Sequence, residues 1–306
     1  MAILAEQLQK LITPQTMGWR EGLADENYHA DKSAVNFSSL KHIDKSTFAF
    51  AKSYWGKPIT ATKSMKFGTL AHMAILEGEK FRSKYVVMPE FASFDANGKP
   101  STSTNTKYYK AEVANWVAKQ PKDAIIVTEE EKEKLFNMID SVLSNEKAVK
   151  LLSNGKPEIA GYWTDPETGI NLRMKADFLS FNLGVLVDVK TCQDVRWENF
   201  RKSVENYRYD IQIMMYNEGV KQITGKEPLH RAWLTIESEG AHEVRIHDVS
   251  PVYEEIGMFE YRRSLKKLKE AIDKNEFNQG SDEIIVGDPS FWFERKYLNL
   301  GVLNNV

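Results

Sequence analysis

Two aspartates eleven positions apart, Asp177 and Asp188, and a lysine two residues past the second, Lys190, are the side chains of this sequence best placed to do chemistry together. Residues 173–181 and 184–191 read as two β-strands joined at Asn182-Leu183, and the apolar run 185–189 suits a buried central strand. If Phe181 faces Gly184 across a two-residue turn, pairing outward sets Asp177 opposite Asp188. Opposed Cβ atoms lie only ~5 Å apart, where like charges repel. A divalent cation relieves that repulsion, and Mg²⁺ takes hard oxygen ligands, commonly one or two carboxylates plus water and phosphate oxygens. Lys190 projects from the same face as Asp188 by the period-two rule. Two carboxylates and an ammonium at one spot suit metal-assisted phosphodiester hydrolysis. Asp-X-Lys triplets also end many solvated strands; the β-branched setting sets this one apart. A longer loop would slip the register.

Other residues could join. His72 lies mid-helix among Leu70, Met73, Ile75 and Leu76, either as a core histidine or as a neutral imidazole facing the metal. Gly68, one turn earlier, would let a backbone or a DNA strand come close. Glu158 opens a strand on which Ala160 and Tyr162 share its face; only the register across the sheet decides whether it is a ligand. Gln212 and Tyr216, four apart, share one helical face. They could hold a phosphate, a water or Lys190, or form a half-buried helix rim.

The elements that must position these groups follow from pattern. Residues 1–27 read as a loosely attached amphipathic helix ended by Pro14. Ser38 or Ser39 caps a helix to about Tyr54, a loop with Gly56 and Pro58 follows, and a helix over 64–79 carries His72. A strand at 85–88, a polar loop over 91–106, a helix over 107–118, a strand at 124–127 and a capping box at Thr128 come next. From Glu158 strands dominate: 158–164, 170–181 and 184–191, then helices 197–206 and 209–222, strands 231–237 and 242–249, and a helix over 251–274. The segment from Phe277 is undetermined by pattern. The fold class expected is α/β (α+β): a central mixed sheet flanked by helices, with residues 1–27 as a helical extension and 28–306 as one domain.

Composition narrows the classes. The chain has 306 residues, a net charge of −2 and one cysteine, Cys192. No apolar run approaches the ~20 residues of a membrane span, and the N-terminus lacks the basic region of a signal peptide. A lone cysteine excludes an intramolecular disulfide and a Cys-based zinc site, which makes a reducing cytoplasm the default; Cys192 reads as a small filler. There is no Gly-rich phosphate loop and no nucleophile–base pair. Lys41, Lys45, Lys52, Lys57, Lys63 and Lys66 are opposed over residues 38–76 only by Asp44, as a phosphate-contacting surface would be. A second cluster, Arg262, Arg263, Lys266, Lys267 and Lys269, has the spacing of a solvated helix face.

The ordered set carries a family resemblance. His72 in a Gly-Thr-Leu-Ala-His helix, Asp177, the Asp188-Val189-Lys190 triplet and the Gln212…Tyr216 pair stand as in RecB-like members of the PD-(D/E)XK nuclease superfamily. Tyr28-His29-Ala30, the turn from Tyr162 to Gly169 and Tyr207-Arg208-Tyr209 most resemble the phage and prophage RecE-type exonucleases (exonuclease VIII), over about residues 28–292. Ala176 departs, standing where the superfamily's name has proline. The resemblance implies a Mg²⁺-dependent enzyme, with Mn²⁺ able to substitute, that degrades one strand of double-stranded DNA from its 5′ end and leaves 3′ single-stranded tails. It further implies a homo-oligomeric, tetrameric ring acting on DNA ends in recombination beside a RecT-like annealing protein, encoded by a phage or prophage in a bacterial cytoplasm. The metal would be held by Asp177, Asp188, the Val189 carbonyl and His72, with Glu158 a further candidate. Lys190, Gln212 and Tyr216 would act on the phosphate and water, while Ser39, Lys41, Lys45, Lys66 and Arg208 would grip DNA. A RecB-like trimming or restriction-type nuclease of other polarity, or a non-catalytic end-binding subunit, stays open.

Overall fold

The computed structural model describes residues 5–57, 60–279, 284 and 286–298; Ile3, Leu4 and Pro58 lie outside them. Helix α1 (Ala5–Ile12), strand β1 (Gly18–Arg20) and helix α2 (Asp25–Ala30) come first. Helices α3 (Phe37–Leu40), α4 (Thr47–Trp55), α5 (Lys63–Leu76) and α6 (Gly78–Lys84) follow. Short strands β2 (Tyr85–Val87), β3 (Ser93–Phe94) and β4 (Pro100–Ser101) precede helix α7 (Lys107–Val117), strand β5 (Ile125–Val127) and helices α8 (Glu129–Ser144) and α9 (Glu146–Leu151). The strand-rich half holds β6 (Lys156–Thr164), β7 (Asn171–Ser180) and β8 (Val185–Cys192), then helices α10 (Trp197–Tyr207) and α11 (Tyr209–Thr224). Strands β9 (His230–Glu237) and β10 (Val244–Asp248) and helices α12 (Pro251–Lys274) and α13 (Phe291–Leu298) complete it.

Six strands form the central sheet in the order β1-β6-β7-β8-β9-β10. Only β8 and β9 run parallel, joined by the α10–α11 crossover; the other neighbours are antiparallel, so the sheet is mixed as expected. Helices cover both faces. One core joins Leu172, Met174, Leu186 and Trp233 to α3, α4, α10, α11 and α12. The other joins Val185, Val187, Val189, Leu234 and Ile236 to α5, α6, α8 and α9. Strand β8 feeds both cores, which is why it reads as an apolar run interrupted only by Asp188 over residues 185–189.

Three expectations need correction. Within the stretch read as a loosely attached helix, residues 5–27 are not loose: Leu8 and Leu11 are buried in the first core, and β1 pairs with β6 as an edge strand. The helix expected from Ser38 to Tyr54 breaks at a 3₁₀ turn, Lys41–Ile43. It restarts because the Ser46 hydroxyl accepts the Ala49 N–H at 3.0 Å, a cap competing with helix continuation. Within the polar loop over 91–106, β3 and β4 pair. The capping box at Thr128 and Glu131 forms as read, and α12 has the expected limits.

Candidate active site

The sheet's registers place three carboxylates in one row. Phe178 pairs with Val187, so Asp177 on β7 stands opposite Asp188 on β8, the register expected from the turn. Pro157 pairs with Phe178 and Ile159 with Ala176, so Glu158 on β6 stands opposite Asp177 on its other side. Glu158 thus joins the carboxylate pair, the placement its strand pattern alone left open. Regular pairing lapses along this row. Glu158 has a left-handed backbone, φ +50°, which costs a non-glycine residue about 1–2 kcal/mol. The Val189 N–H donates at 2.7 Å to Asp177 Oδ2. Alternation slips here too: Leu172, Met174 and Ala176 pack in one core, yet Phe178 packs in the other. A sheet interrupted in this way has room between strands for something other than backbone.

Helix α5 brings His72 over the row, its Nδ1 3.6 Å from Asp177 Oδ2. One donor atom each from His72, Glu158 and Asp177 lie within 4.8 Å of one another. Asp188 is engaged differently. Its Oδ2 pairs with Lys190 Nζ at 2.6 Å and its Oδ1 accepts from Gln212 Nε2 at 3.0 Å. Gln212 therefore holds Asp188, and Tyr216, one turn further along α11, lines the same cavity. This cavity measures about 470 Å³ and reaches from Asp25 and His29 on α2 to His72, Asp177 and Lys190.

Electrostatics mark the spot. Burial pushes the Asp188 carboxyl up to about 6, against the pull of Lys190. Burial also raises Asp177, and burial together with the neighbouring Asp177 charge raises Glu158. Lys190 is raised despite a burial that would lower it, because Asp188 and Asp177 hold its proton. Burial and Lys190 push His72 below its usual value, leaving a neutral imidazole at pH 7. Buried carboxyls beside a neutral imidazole are the oxygen and nitrogen donors that a divalent cation takes. Mg²⁺ takes hard oxygen ligands, carboxylates above all, and two of these three converging donors are carboxylates. The residues fit a hard dication.

The basic segment is free to act. Among the described residues none of Lys41, Lys45, Lys52, Lys57, Lys63 and Lys66 makes an ion pair, and Asp44 pairs instead with Arg263. Lys41 is half-buried near enough to Lys190 for that charge, after burial, to lower its pKa. Lys45 and Lys66 are exposed. Ser39 is turned inward, 7% exposed, whereas its neighbour Ser38 lines the cavity. Arg208 forks onto Asp210 at 3.1 and 3.0 Å. In the second cluster Arg262 pairs with Asp165 and Glu218, Arg263 with Asp44 and Glu260, and Lys269 with Asp273.

Sequence reasoning passed over Lys175. Its ammonium bridges Asp25 on α2 and Glu158, the latter at 2.8 Å. Lying two residues before Asp177 on one strand, it was detectable by the same parity that placed Lys190.

A helix-flanked mixed sheet with carboxylates on adjacent strands and an Asp-X-Lys strand end defines the class: a fold of the PD-(D/E)XK nuclease superfamily. The family is narrower. Residues 33–285 match the family described as PDDEXK-like domain of unknown function (DUF3799), and the chain belongs to it. Among solved structures, a protein from Eubacterium rectale described as "Putative exonuclease" aligns at a TM-score of 0.54. It is 16% identical, with 90% of this chain and 98% of that chain covered, a likeness of fold. A second structure, SSO0001, aligns at a TM-score of only 0.28, with 14% identity over 66% of this chain and 78% of that one. No curated protein matches. Among the described residues no helix is long and apolar enough to cross a membrane.

Proposed function

We propose that this chain is a metal-dependent exonuclease that degrades one strand of linear duplex DNA from its 5′ end, leaving 3′ tails for recombination. The observation that carries the reading is the row Glu158–Asp177–Asp188, with His72 above it and Lys190 beside it, at a cavity lined by His72, Glu158, Asp177 and Lys190. His72, Glu158 and Asp177 would hold Mg²⁺ or Mn²⁺, with Asp188 and the Val189 carbonyl available from the next strand. Bound there, the ion would supply Lewis acidity and lower the pKa of a water.

The chain's own groups do the rest. Lys190 keeps its proton, so it acts on the phosphate as a fixed positive charge and not as a base. Gln212 orients the Asp188 carboxylate. Tyr216, its pKa raised well above the usual value by burial, remains a hydroxyl donor in the cavity wall. Lys41, Lys45 and Lys66 grip phosphates on the approach. The Tyr-Arg-Tyr and Gln…Tyr resemblance favours the RecE-like polarity, a ring-shaped homo-oligomer and a RecT-like partner over a trimming nuclease of other polarity.

Linear duplex labelled at either the 5′ or the 3′ terminus, beside a closed circle, tests the proposal. Early release of the 5′ label in Mg²⁺, a spared circle, and loss of both cutting and label release with chelator or Asp188→Ala are expected. Digestion that survives in folded Asp188→Ala would overturn the assignment.

A further inference from the structure

The constellation does not end at Lys190. Its ammonium lies 4.6 Å from the centroid of the Tyr209 ring. Tyr209 in turn stacks on Tyr207, with centroids 5.7 Å apart and planes inclined by 29°. Side chains two apart across an ordinary helical turn diverge, yet these two rings meet because Arg208 between them is left-handed, φ +58° and ψ +48°. L-residues avoid that region, and a helix usually reaches it with glycine. Here the guanidinium fork onto Asp210, which is 3% exposed, fixes the kink. Behind Tyr209 the buried Phe200 ring stacks at 6.3 Å. The ladder is rigid from inside outward and stops at Tyr207, which is 56% exposed.

The position of this ladder matters. Lys190 links the two groups: its ammonium pairs with Asp188 of the carboxylate row at 2.6 Å and also lies against the Tyr209 ring. A phosphodiester held at Lys190 would carry its flanking nucleotides to within reach of the second ring. Half-buried Lys41, without an ion-pair partner among the described residues, adds positive charge near the same lysine. Stacking on an aromatic face beside a cationic track is how proteins hold single-stranded bases with little regard to sequence. Bases inside a duplex already have both faces covered, so an open ring selects an unpaired one.

We infer that Tyr207 is a stacking platform for an unpaired nucleobase next to the scissile phosphate, with Tyr209 as its support and Arg208–Asp210 as the brace. This rests on the nuclease reading above. It makes Tyr207 a residue that positions substrate, and it favours ends that fray.

The test uses full-length protein carrying Asp188→Ala to prevent cutting, and duplexes with 2-aminopurine at successive terminal positions. Binding should quench the probe at one or two adjacent positions. Tyr207→Ala should abolish that quench and weaken binding by about 5- to 100-fold, the range of one stacked base, while Tyr207→Phe preserves both. With Asp188 intact, Tyr207→Ala should raise KM far more than it lowers kcat, and the deficit should shrink on ends bearing a preformed single-stranded overhang. Unchanged quenching and affinity in Tyr207→Ala, in a protein that still digests linear DNA, overturns the platform and leaves the nuclease standing. A wild-type chain that neither binds nor digests DNA overturns both.

Discussion

Asp177 shows what burial does to a charge before its counterion arrives. Its folded pKa is raised by burial. A carboxylate with a raised pKa contributes its full stability below its unfolded value and loses it as pH rises through the folded one. Asp188 follows the same sign, over the window from its ordinary value near 4 up to about 6. In chelator, Asp177→Asn should therefore be more stable than wild type at pH 8, and the difference should vanish in acid. Its amide oxygen can still accept the Val189 N–H, so the fold is kept. Thermal melts at pH 4 and pH 8 check this. In wild type, Mn²⁺ at a hundredfold its dissociation constant should add about 2.7 kcal/mol; Asp177→Asn should forfeit most of it. Affinity for Mn²⁺ should also fall as pH drops through 6, since Asp188 must give up its proton to bind. Lys190→Met is the opposite experiment: stranding Asp188 without its cation should destabilise the fold by about 3–5 kcal/mol, read as a lower Tm.

At the scale of elements, the site depends on how closely α11 approaches the sheet. A Cβ built on Gly219 would lie 2.7 Å from the Trp163 ring and 3.0 Å from Met174 Sδ, both fully buried residues. Gly219→Ala should cost about 1–3 kcal/mol, and because α11 carries Gln212 it should also loosen the hydrogen bond to Asp188. Urea denaturation gives the first effect and the pH–rate profile the second. Gly68 on α5 is the contrast. Its Cβ would meet only Thr191 Oγ1, at 3.5 Å, so Gly68→Ala should fold at least as well as wild type, by up to about 1 kcal/mol. Any loss of DNA affinity would then come from the narrowed cavity. The sequence revealed these elements where period and caps agreed, as at the Thr128 box and the Asp177–Asp188 register set by the Gly184 turn. It offered the row's third member, Glu158, only as a candidate, because a left-handed glutamate breaks the alternation from which its facing could be read. It concealed β1, a strand only three residues long.

For the whole molecule the decisive feature is local charge set against a nearly neutral total. A net charge of −2 gives no global argument for a nucleic-acid partner, yet among the described residues the lysines from Lys41 to Lys66 make no ion pair, while Arg262, Arg263 and Lys269 of α12 are held in ion pairs. DNA affinity should fall steeply with salt, and Lys41→Ala or Lys66→Ala should each lower the slope of log affinity against log salt by about 1, whatever the sequence of the duplex. Arg263→Ala should leave that slope where it was. Titrations by fluorescence anisotropy at several salt concentrations separate the two surfaces.

Strand β1 closes the sheet beside β6, the strand that carries Glu158. Its partner lies on the order of 140 residues downstream, a contact of long sequence separation and so a late one in folding. Until it forms, β6 presents a bare hydrogen-bonding margin to any passing chain. Trimming the first twenty residues, or encumbering them with a bulky amino-terminal fusion, should therefore produce a protein that clumps during expression.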